Sequence, residues 1–304
     1  QEIDDGAVVA RVRQVEVVKD AYQKVGLRCV LALQVADVSP LDTVPYWRDV
    51  IPVELQPLLA GPPSPPDAAD PLSVMESLFS AKTADPMSRW AVAPSSPERC
   101  IRPLLERLAD LAIRHDLRIF SHIYISRSEA LNARRSFTAH DGSMIAYLKD
   151  AGVLGRRLTL AHGVWLEDGE IGAIAEAGAH VAINPLSNLK TKNGVAPIRR
   201  LLEAKINLAL GCDNCSCSDA QNIFQAMKLF TYLAAISDPR EGPPFAVDAV
   251  RAATTGGAKA LGMEVEVGSI RPGMCADIVL IDTTDPVYVP FNSAARQLVY
   301  GEGG

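Results

Sequence analysis

The run Leu158-Thr-Leu-Ala161 is followed by an amphipathic segment, Asp168 to Ala177, and then by His180-Val-Ala-Ile183. Short apolar runs such as the first and the last are typical of buried strands, whereas the segment between them has helical spacing. A strand, a helix and a second strand in succession predict a parallel sheet with helices packed outside it. This stretch therefore predicts an α/β fold.

The same alternation runs along most of the chain. Four more apolar runs predict strands at Arg28 to Gln34, Trp90 to Ala93, Arg118 to Tyr124 and Ile206 to Leu210. Helical patterns lie at Val8 to Gly26, Glu98 to His115, Pro197 to Ala204 and Asp219 to Ile236. About six strands fall two short of a closed eight-stranded barrel, so we expect a (β/α)8 TIM-type barrel that is incomplete.

Two segments depart from this alternation. The Pro-rich stretch from Gly61 to Pro71 predicts a long loop, either a lid over the site or a surface insertion, because proline fixes φ and removes a donor. From Glu266 to Asp282, a Pro-Gly turn between β-rich pieces predicts two strands of a small β structure. We therefore expect a partial barrel over 1–262 and a β-sandwich segment over 263–304.

The composition argues against several classes of protein. The chain has 304 residues, 48% hydrophobic and 22% charged, as in an ordinary globular protein. A net charge of −6 without runs of Lys and Arg argues against nucleic-acid binding, and no apolar stretch is long enough to span a bilayer. Six cysteines in a chain of this size do not suggest a disulfide scaffold, so we expect a cytoplasmic protein.

Three polar residues follow three of the predicted strands. His122 ends the run from Arg118, His162 follows Leu158 to Ala161, and Asp213 comes just past Ile206 to Leu210. Carboxyl ends of parallel strands meet at one mouth of a barrel, so we expect these side chains to face one another. Imidazole and carboxylate are ligands of Zn²⁺, which activates water as a nucleophile.

Four motifs fall in the order and spacing of the amidohydrolase superfamily, and they resemble its cytosine deaminase, guanine deaminase and triazine hydrolase branch. They are Ser121-His122-Ile-Tyr124, Leu160-Ala-His162-Gly-Val-Trp-Leu166, Asn184-Pro-Leu-Ser-Asn188 and Leu210-Gly-Cys-Asp213. The closing stretches Gly268 to Gly273 and Ala276 to Asp282 are similar to the β-sandwich segment that ends those chains. The resemblance begins at about the third barrel strand, which implies that the first strands are lacking.

The resemblance implies a role for each matching residue. His122 would be a metal ligand, and Asp213 would bind the metal and move the proton. His162 would polarise the substrate or lie close to the metal, while Asn184 and Ser187 would line the substrate loop. The implied cofactor is a divalent metal, most simply zinc.

One further candidate comes from position alone. Trp165 follows the His162 strand, where its ring is expected either to wall a flat substrate or to pack in the fold.

Two departures from the family pattern bear on activity. The relatives carry a His-x-His pair on the first strand, and this sequence contains none. Many of them also carry a glutamate three residues after the fifth-strand histidine, where this chain has Ile125; Glu129 is a minor candidate for that role. Cys212, Cys215 and Cys217 could form a zinc-thiolate site, but ordinary loop thiols are favoured because no second pair of ligands lies nearby.

The leading hypothesis is a metal-dependent hydrolase acting on non-peptide C–N bonds of a small molecule, in a cyclic amide or amidine. The alternative is a catalytically incompetent barrel fragment that lacks the first-strand ligands and associates through exposed strand edges. In either case we expect a homo-oligomer. A phosphate-binding barrel is a third interpretation, disfavoured because the acidic loop at Asp213 does not suit an anion.

Overall fold

The computed structural model describes residues 6–59, 70–80, 85–219, 221–237 and 245–303. Its centre is a parallel sheet whose six strands are hydrogen-bonded in chain order: β1 (Cys29–Val35), β2 (Ser88–Pro94), β3 (Arg118–Ile123), β4 (Leu158–His162), β5 (His180–Ile183) and β6 (Asn207–Leu210). The six predicted strands are thus confirmed. This order puts β1 and β6 at the two edges, so the sheet is open, as expected for an incomplete barrel.

Helices fill most of the connections between the strands. Up to β3 they are α1 (Gly6–Lys24), α2 (Trp47–Val50), α3 (Gln56–Leu59), α4 (Pro71–Ser80) and α5 (Arg102–Arg114). Between β3 and β6 they are α6 (Arg127–Ser136), α7 (Met144–Asp150), α8 (Asp168–Ala177), α9 (Pro185–Lys190) and α10 (Ile198–Glu203). After β6 follow α11 (Cys215–Ser218), α12 (Ile223–Ser237), α13 (Ala246–Arg251), α14 (Gly257–Leu261) and α15 (Ala294–Tyr300).

Polar side chains set where several of these helices begin. The Ser126 hydroxyl accepts the Glu129 N–H at the start of α6, and the Ser143 hydroxyl accepts the Ala146 N–H at the start of α7. At α8 the Glu170 carboxylate accepts the Glu167 N–H at 3.1 Å. Each such cap satisfies a backbone donor that the helix leaves unpaired and contributes about 1 kcal/mol.

The chain divides into two compact units, Gln1–Phe120 and Ser121–Gly304. In the first, β1 and β2 pair in register from Cys29 opposite Ser88 to Val35 opposite Pro94. Phe79 of α4 is almost fully buried, with its ring centroid 6.1 Å from that of Trp90 in β2. The first unit therefore has an apolar core of its own.

In the second unit, β4, β5 and β6 pair in parallel, with Leu160 opposite Val181 and Ile183 opposite Leu210. Leu158, Leu160 and Val181 are fully buried, and so is Phe230 of α12. A strand that is buried on both faces has a nearly continuous apolar sequence. The apolar runs in the sequence therefore predicted these strands.

The edge strand β6 is packed closely by the turn of helix that precedes α14. Asn207 donates from its side-chain amide to the Gly256 carbonyl at 3.0 Å. A Cβ atom added at Gly256 would overlap the carbonyl oxygen of Leu208, whereas the nearest atom to a Cβ at Gly257 is the Ala252 oxygen at 3.5 Å. Only glycine fits at position 256 because backbone lies directly against its α-carbon.

The segment after Met263 differs from the expected pair of strands. Within the described residues no strand follows Leu210, and the stretch from Ala276 to Asp282 runs without regular structure. A strand needs a neighbour for its backbone hydrogen bonds, and here Val279 and Leu280 are 75% and 91% exposed. The β-rich composition is therefore not matched by a paired β structure, and a separate domain over 263–304 stays a prediction.

The predicted Pro-rich loop lies mostly outside the described residues, since 60–69 are not among them. Its last residues, Asp70 and Pro71, start α4, where the Asp70 carboxylate accepts the Leu72 N–H at 3.3 Å. Among the described helices, none combines the length and the apolar character needed to cross a bilayer.

We predict that Gly256→Ala lowers the free energy of unfolding by about 2–5 kcal/mol, because the new methyl group must displace a strand carbonyl. The matched variant Gly257→Ala should be neutral or stabilising by up to about 1 kcal/mol, since its Cβ meets only ordinary contacts. Urea unfolding of both variants measures the difference. Equal stabilities would show that the close approach to β6 is not maintained in solution.

Candidate active site

The structure brings together the three residues predicted at the strand ends. The imidazole rings of His122 and His162 are stacked, with centroids 5.6 Å apart and an angle of 24° between their planes. His162 Nε2 lies 3.8 Å from Asp213 Oδ2. All three side chains belong to the second unit, at the carboxyl ends of β3 and β4 and just beyond β6, where parallel sheets place their sites.

The backbone is strained at each of these strand ends. Tyr124, His162 and Asp213 have φ values of 46°, 74° and 62°, in the left-handed region that non-glycine residues rarely adopt. Such conformations cost of order 1–3 kcal/mol each and occur preferentially at functional sites. No local sequence pattern predicts them here, because none of the three residues is a glycine.

His162 is held in a buried, hydrogen-bonded position. Its side chain is 3% exposed, and its Nδ1 lies 2.8 Å from the Oδ1 of Asn188 in α9. Burial, and next the neighbouring His122, lower the pKa of His162, although Asn188 and Asp213 act in the opposite direction. The imidazole is therefore neutral near pH 7, and its Nε2 is directed toward Asp213.

Asp213 has one carboxylate oxygen engaged and one facing the site. Its Oδ1 accepts the Asn214 N–H at 2.7 Å, while Oδ2 is the atom nearest His162. The Asp213 carbonyl accepts from the Gln221 side chain at 2.6 Å, which anchors the loop after β6. The carboxylate is thus oriented with its second oxygen available for a metal ion or a proton.

The other predicted site residues, Asn184, Ser187 and Trp165, differ in how deeply they are buried. Asn184 is buried, and a Cβ added at Gly211 would overlap its side-chain oxygen, so the glycine makes room for the amide. Ser187 lies in α9 and is 2% exposed, so its side chain is packed inside the fold. Trp165 is partly exposed and donates from Nε1 to the Asn193 carbonyl at 2.8 Å, which fixes the plane of its ring.

Glu129 is held by the backbone just after β3. Its two carboxylate oxygens accept the N–H groups of Tyr124 and Ile125 at 2.7 Å and 2.8 Å. These are the residues where the chain leaves β3 through the strained backbone. A carboxylate on two backbone donors stabilises that turn by charge-assisted hydrogen bonds, and both of its oxygens are engaged there.

A second carboxylate, that of Glu170, accepts hydrogen bonds from the side chains of Tyr124 and Ser143. Its Oε1 accepts the Tyr124 hydroxyl at 2.5 Å and the Ser143 hydroxyl at 2.6 Å, and the Tyr124 oxygen accepts the Met144 N–H at 2.9 Å. Burial, together with Glu170, raises the pKa of the Tyr124 phenol, which therefore stays protonated. This network was not predicted, since it joins residues far apart in the chain.

The donors at the centre suit a divalent metal ion. Imidazole nitrogen and carboxylate oxygen are the ligand types that zinc takes, and His122, His162 and Asp213 bring both types together, with His162 Nε2 3.8 Å from Asp213 Oδ2. Across the described part of the chain, however, no group of three His, Cys, Asp or Glu side chains is gathered tightly enough to hold an ion. The residue types fit zinc, and further ligands would be needed to complete a tight site.

A family model described as the amidohydrolase family matches residues 6–301. Among curated proteins, the chain is similar to a 5'-deoxyadenosine deaminase from Methanothermobacter thermautotrophicus, with 38% identity over 223 residues. That match covers 73% of this chain and 51% of the relative. The chain therefore spans about half the length of the curated relative it matches.

Two solved structures are similar to this chain in fold. An adenosine deaminase from Xanthomonas campestris with bound zinc matches with a TM-score of 0.77 and 26% identity, over 92% of this chain and 58% of that one. An atrazine chlorohydrolase from Arthrobacter aurescens, complexed with zinc, matches with a TM-score of 0.76 and 22% identity, over 94% and 60%. The second match is a likeness of fold alone.

We predict that Glu129→Ala lowers the free energy of unfolding by about 1–3 kcal/mol, because two N–H groups at the end of β3 lose their acceptors. Glu176→Ala, at an exposed position on α8, serves as the control and should change stability by less than about 0.5 kcal/mol. Urea unfolding measures both. A Glu129→Ala protein of unchanged stability would refute the structural role.

Proposed function

Because the chain belongs to the amidohydrolase family, we propose that the protein hydrolyses a non-peptide C–N bond in a small cyclic amide or amidine. The observation that supports this most directly is the meeting of His122, His162 and Asp213 at the carboxyl ends of parallel strands. Imidazoles beside a carboxylate can bind a metal ion, activate water and move a proton.

Within that class, we propose deamination of a 6-aminopurine nucleoside altered at its 5' position. The support is the name of the matched curated relative, a 5'-deoxyadenosine deaminase. In this reaction water adds to C6 of the ring, the C6–N bond of the amino group breaks, and ammonia leaves. The ring keeps the oxygen as a carbonyl group, and no oxidant or reductant is consumed.

The residues of this chain would divide the work as follows. His122 and Asp213 would hold a divalent ion, which we propose is zinc; when bound, such an ion makes water a stronger acid. Asp213 Oδ2, left available while Oδ1 accepts the Asn214 N–H, would take the proton from the attacking water. It would then deliver that proton to the departing amino group.

The remaining predicted residues would define the pocket for the ring. Asn184 and Trp165 line the loops after β5 and β4, and the fixed indole ring of Trp165 would form one wall for a flat substrate. Ser187, which is buried, would support the loop from beneath. Ile125 replaces the glutamate that many relatives carry, so Asp213 is the carboxylate left for proton transfer at this site.

The alternative function, a barrel that is incompetent in isolation and associates through its edges, is favoured by two observations. The sheet is open at β1 and β6, and the apolar side chains of Val279 and Leu280 are exposed. Both features also support our proposal of a homo-oligomer. We propose a cytoplasmic location, because none of the six cysteines, all of which lie among the described residues, forms a disulfide.

Zinc content separates the two functions. If the site binds metal, protein purified after growth with added zinc should contain close to one zinc ion per chain, and His122→Asn should lose most of it. His140→Gln, at a histidine that pairs with Asp150 instead, should retain the wild-type content. Metal analysis by mass spectrometry gives the result. Wild-type protein without zinc would favour the incompetent fragment.

Ammonia release from 5'-deoxyadenosine tests the reaction itself. We expect Asp213→Ala to lower the rate by about 10²–10⁴-fold, since it removes the proton acceptor, while the fold is retained. Asp49→Ala, at an exposed position in α2, is the control and should keep full activity. Normal turnover in Asp213→Ala would remove this residue from the mechanism.

A further inference from the structure

We propose that Asn188 is a positioning residue that selects one tautomer of His162 and leaves the Nε2 lone pair facing the site. The inference rests on the proposed function only in giving His162 a part in turnover. Asn184 and Ser187 are the members of this motif to which the family resemblance gives a role, and Asn188 adds a third. It would act through the imidazole without touching the substrate.

The contact between the two side chains is short and buried. His162 Nδ1 and Asn188 Oδ1 lie 2.8 Å apart, and the two residues are 3% and 1% exposed. An amide oxygen carries no hydrogen and can only accept. The proton of the neutral imidazole must therefore lie on Nδ1, which leaves Nε2 without one.

Asn188 is fixed well enough to impose this choice. Its N–H donates to the Asn184 carbonyl at 3.0 Å within α9, and its own carbonyl accepts the Asn193 N–H at 2.9 Å. The backbone is therefore held on both sides, and the buried amide cannot exchange its partner for water. A rigid second partner that orients a site histidine in this way typically changes metal affinity or activity by about 10–100-fold.

The selected tautomer decides between the two roles open to His162. With Nε2 unprotonated, the ring presents a lone pair toward the side occupied by Asp213 Oδ2, 3.8 Å away. A lone pair can bind a metal ion or accept a proton, but it cannot donate a hydrogen bond to a substrate. Neutral His162 is thus a ligand or a base, and it polarises a substrate only after it has taken up a proton.

The tautomer can be observed directly by NMR. In protein labelled with ¹⁵N-histidine and freed of metal at pH 8, long-range ¹H–¹⁵N spectra distinguish a protonated from an unprotonated ring nitrogen. We expect the His162 signals, identified by their loss in His162→Gln, to show a protonated Nδ1 and an unprotonated Nε2. The opposite pattern in the wild-type protein would overturn the proposal without any variant.

Substitution of Asn188 provides a second test of the proposal. Asn188→Leu should move the His162 signals toward the other tautomer, and Asn188→Asp should restore the wild-type pattern, because a carboxylate also accepts the Nδ1–H. Asn292→Leu, at an exposed position near α15, controls for the loss of an amide and should leave the spectrum unchanged. An unchanged tautomer in Asn188→Leu would contradict the assignment.

Activity measurements distinguish a failure of this proposal from a failure of the proposed function. If 5'-deoxyadenosine is deaminated, Asn188→Leu should lower kcat by about 10–100-fold and Asn188→Asp should recover most of it. If the wild-type protein has no activity but shows the Nδ1–H tautomer, and Asn188→Leu loses it, the proposed function fails and the role of Asn188 stands. Should Asn188→Leu fail to fold, the wild-type spectrum and the Asn188→Asp spectrum still decide.

Discussion

The parallel pairing of the strands is the constraint on which the site depends. Because β4, β5 and β6 pair in parallel and in register, their carboxyl ends lie at the same edge of the sheet. Residues that are far apart in the sequence, such as His162 and Asp213, therefore lie close together at that edge. Both residues have left-handed backbone dihedrals, which non-glycine residues rarely adopt.

The strained backbone at Tyr124, just after β3, is supported by groups that take no part in the proposed chemistry. Glu129 accepts two N–H groups where β3 ends, and Glu170 accepts the hydroxyl groups of Tyr124 and Ser143. Carboxylates with several donors are costly to remove and hold their surroundings in one arrangement. The neighbourhood of His122 is therefore stabilised by two carboxylates, of which only Glu129 was a minor candidate for catalysis.

The sheet is open, with β1 and β6 at its edges. A sheet whose first and last strands are edges leaves backbone groups available for another polypeptide, and the exposed apolar stretch at Val279 and Leu280 adds a second surface of this kind. Among the described residues, the donors that meet at the site are the imidazoles of His122 and His162 and the carboxylate of Asp213.

Local patterns in the sequence determined the part of the structure that depends on local chemistry. Apolar runs and helical spacing predicted all six strands, and the position of His122, His162 and Asp213 at strand ends predicted that they would meet. Only the tertiary structure decided the parts set by distant partners: Asn188 on the His162 ring, Glu170 on the Tyr124 hydroxyl, and the exposed stretch at Val279. A hydrogen bond between residues tens of positions apart leaves no periodic trace in the chain, and a β-rich segment becomes a strand only when a neighbour accepts its backbone.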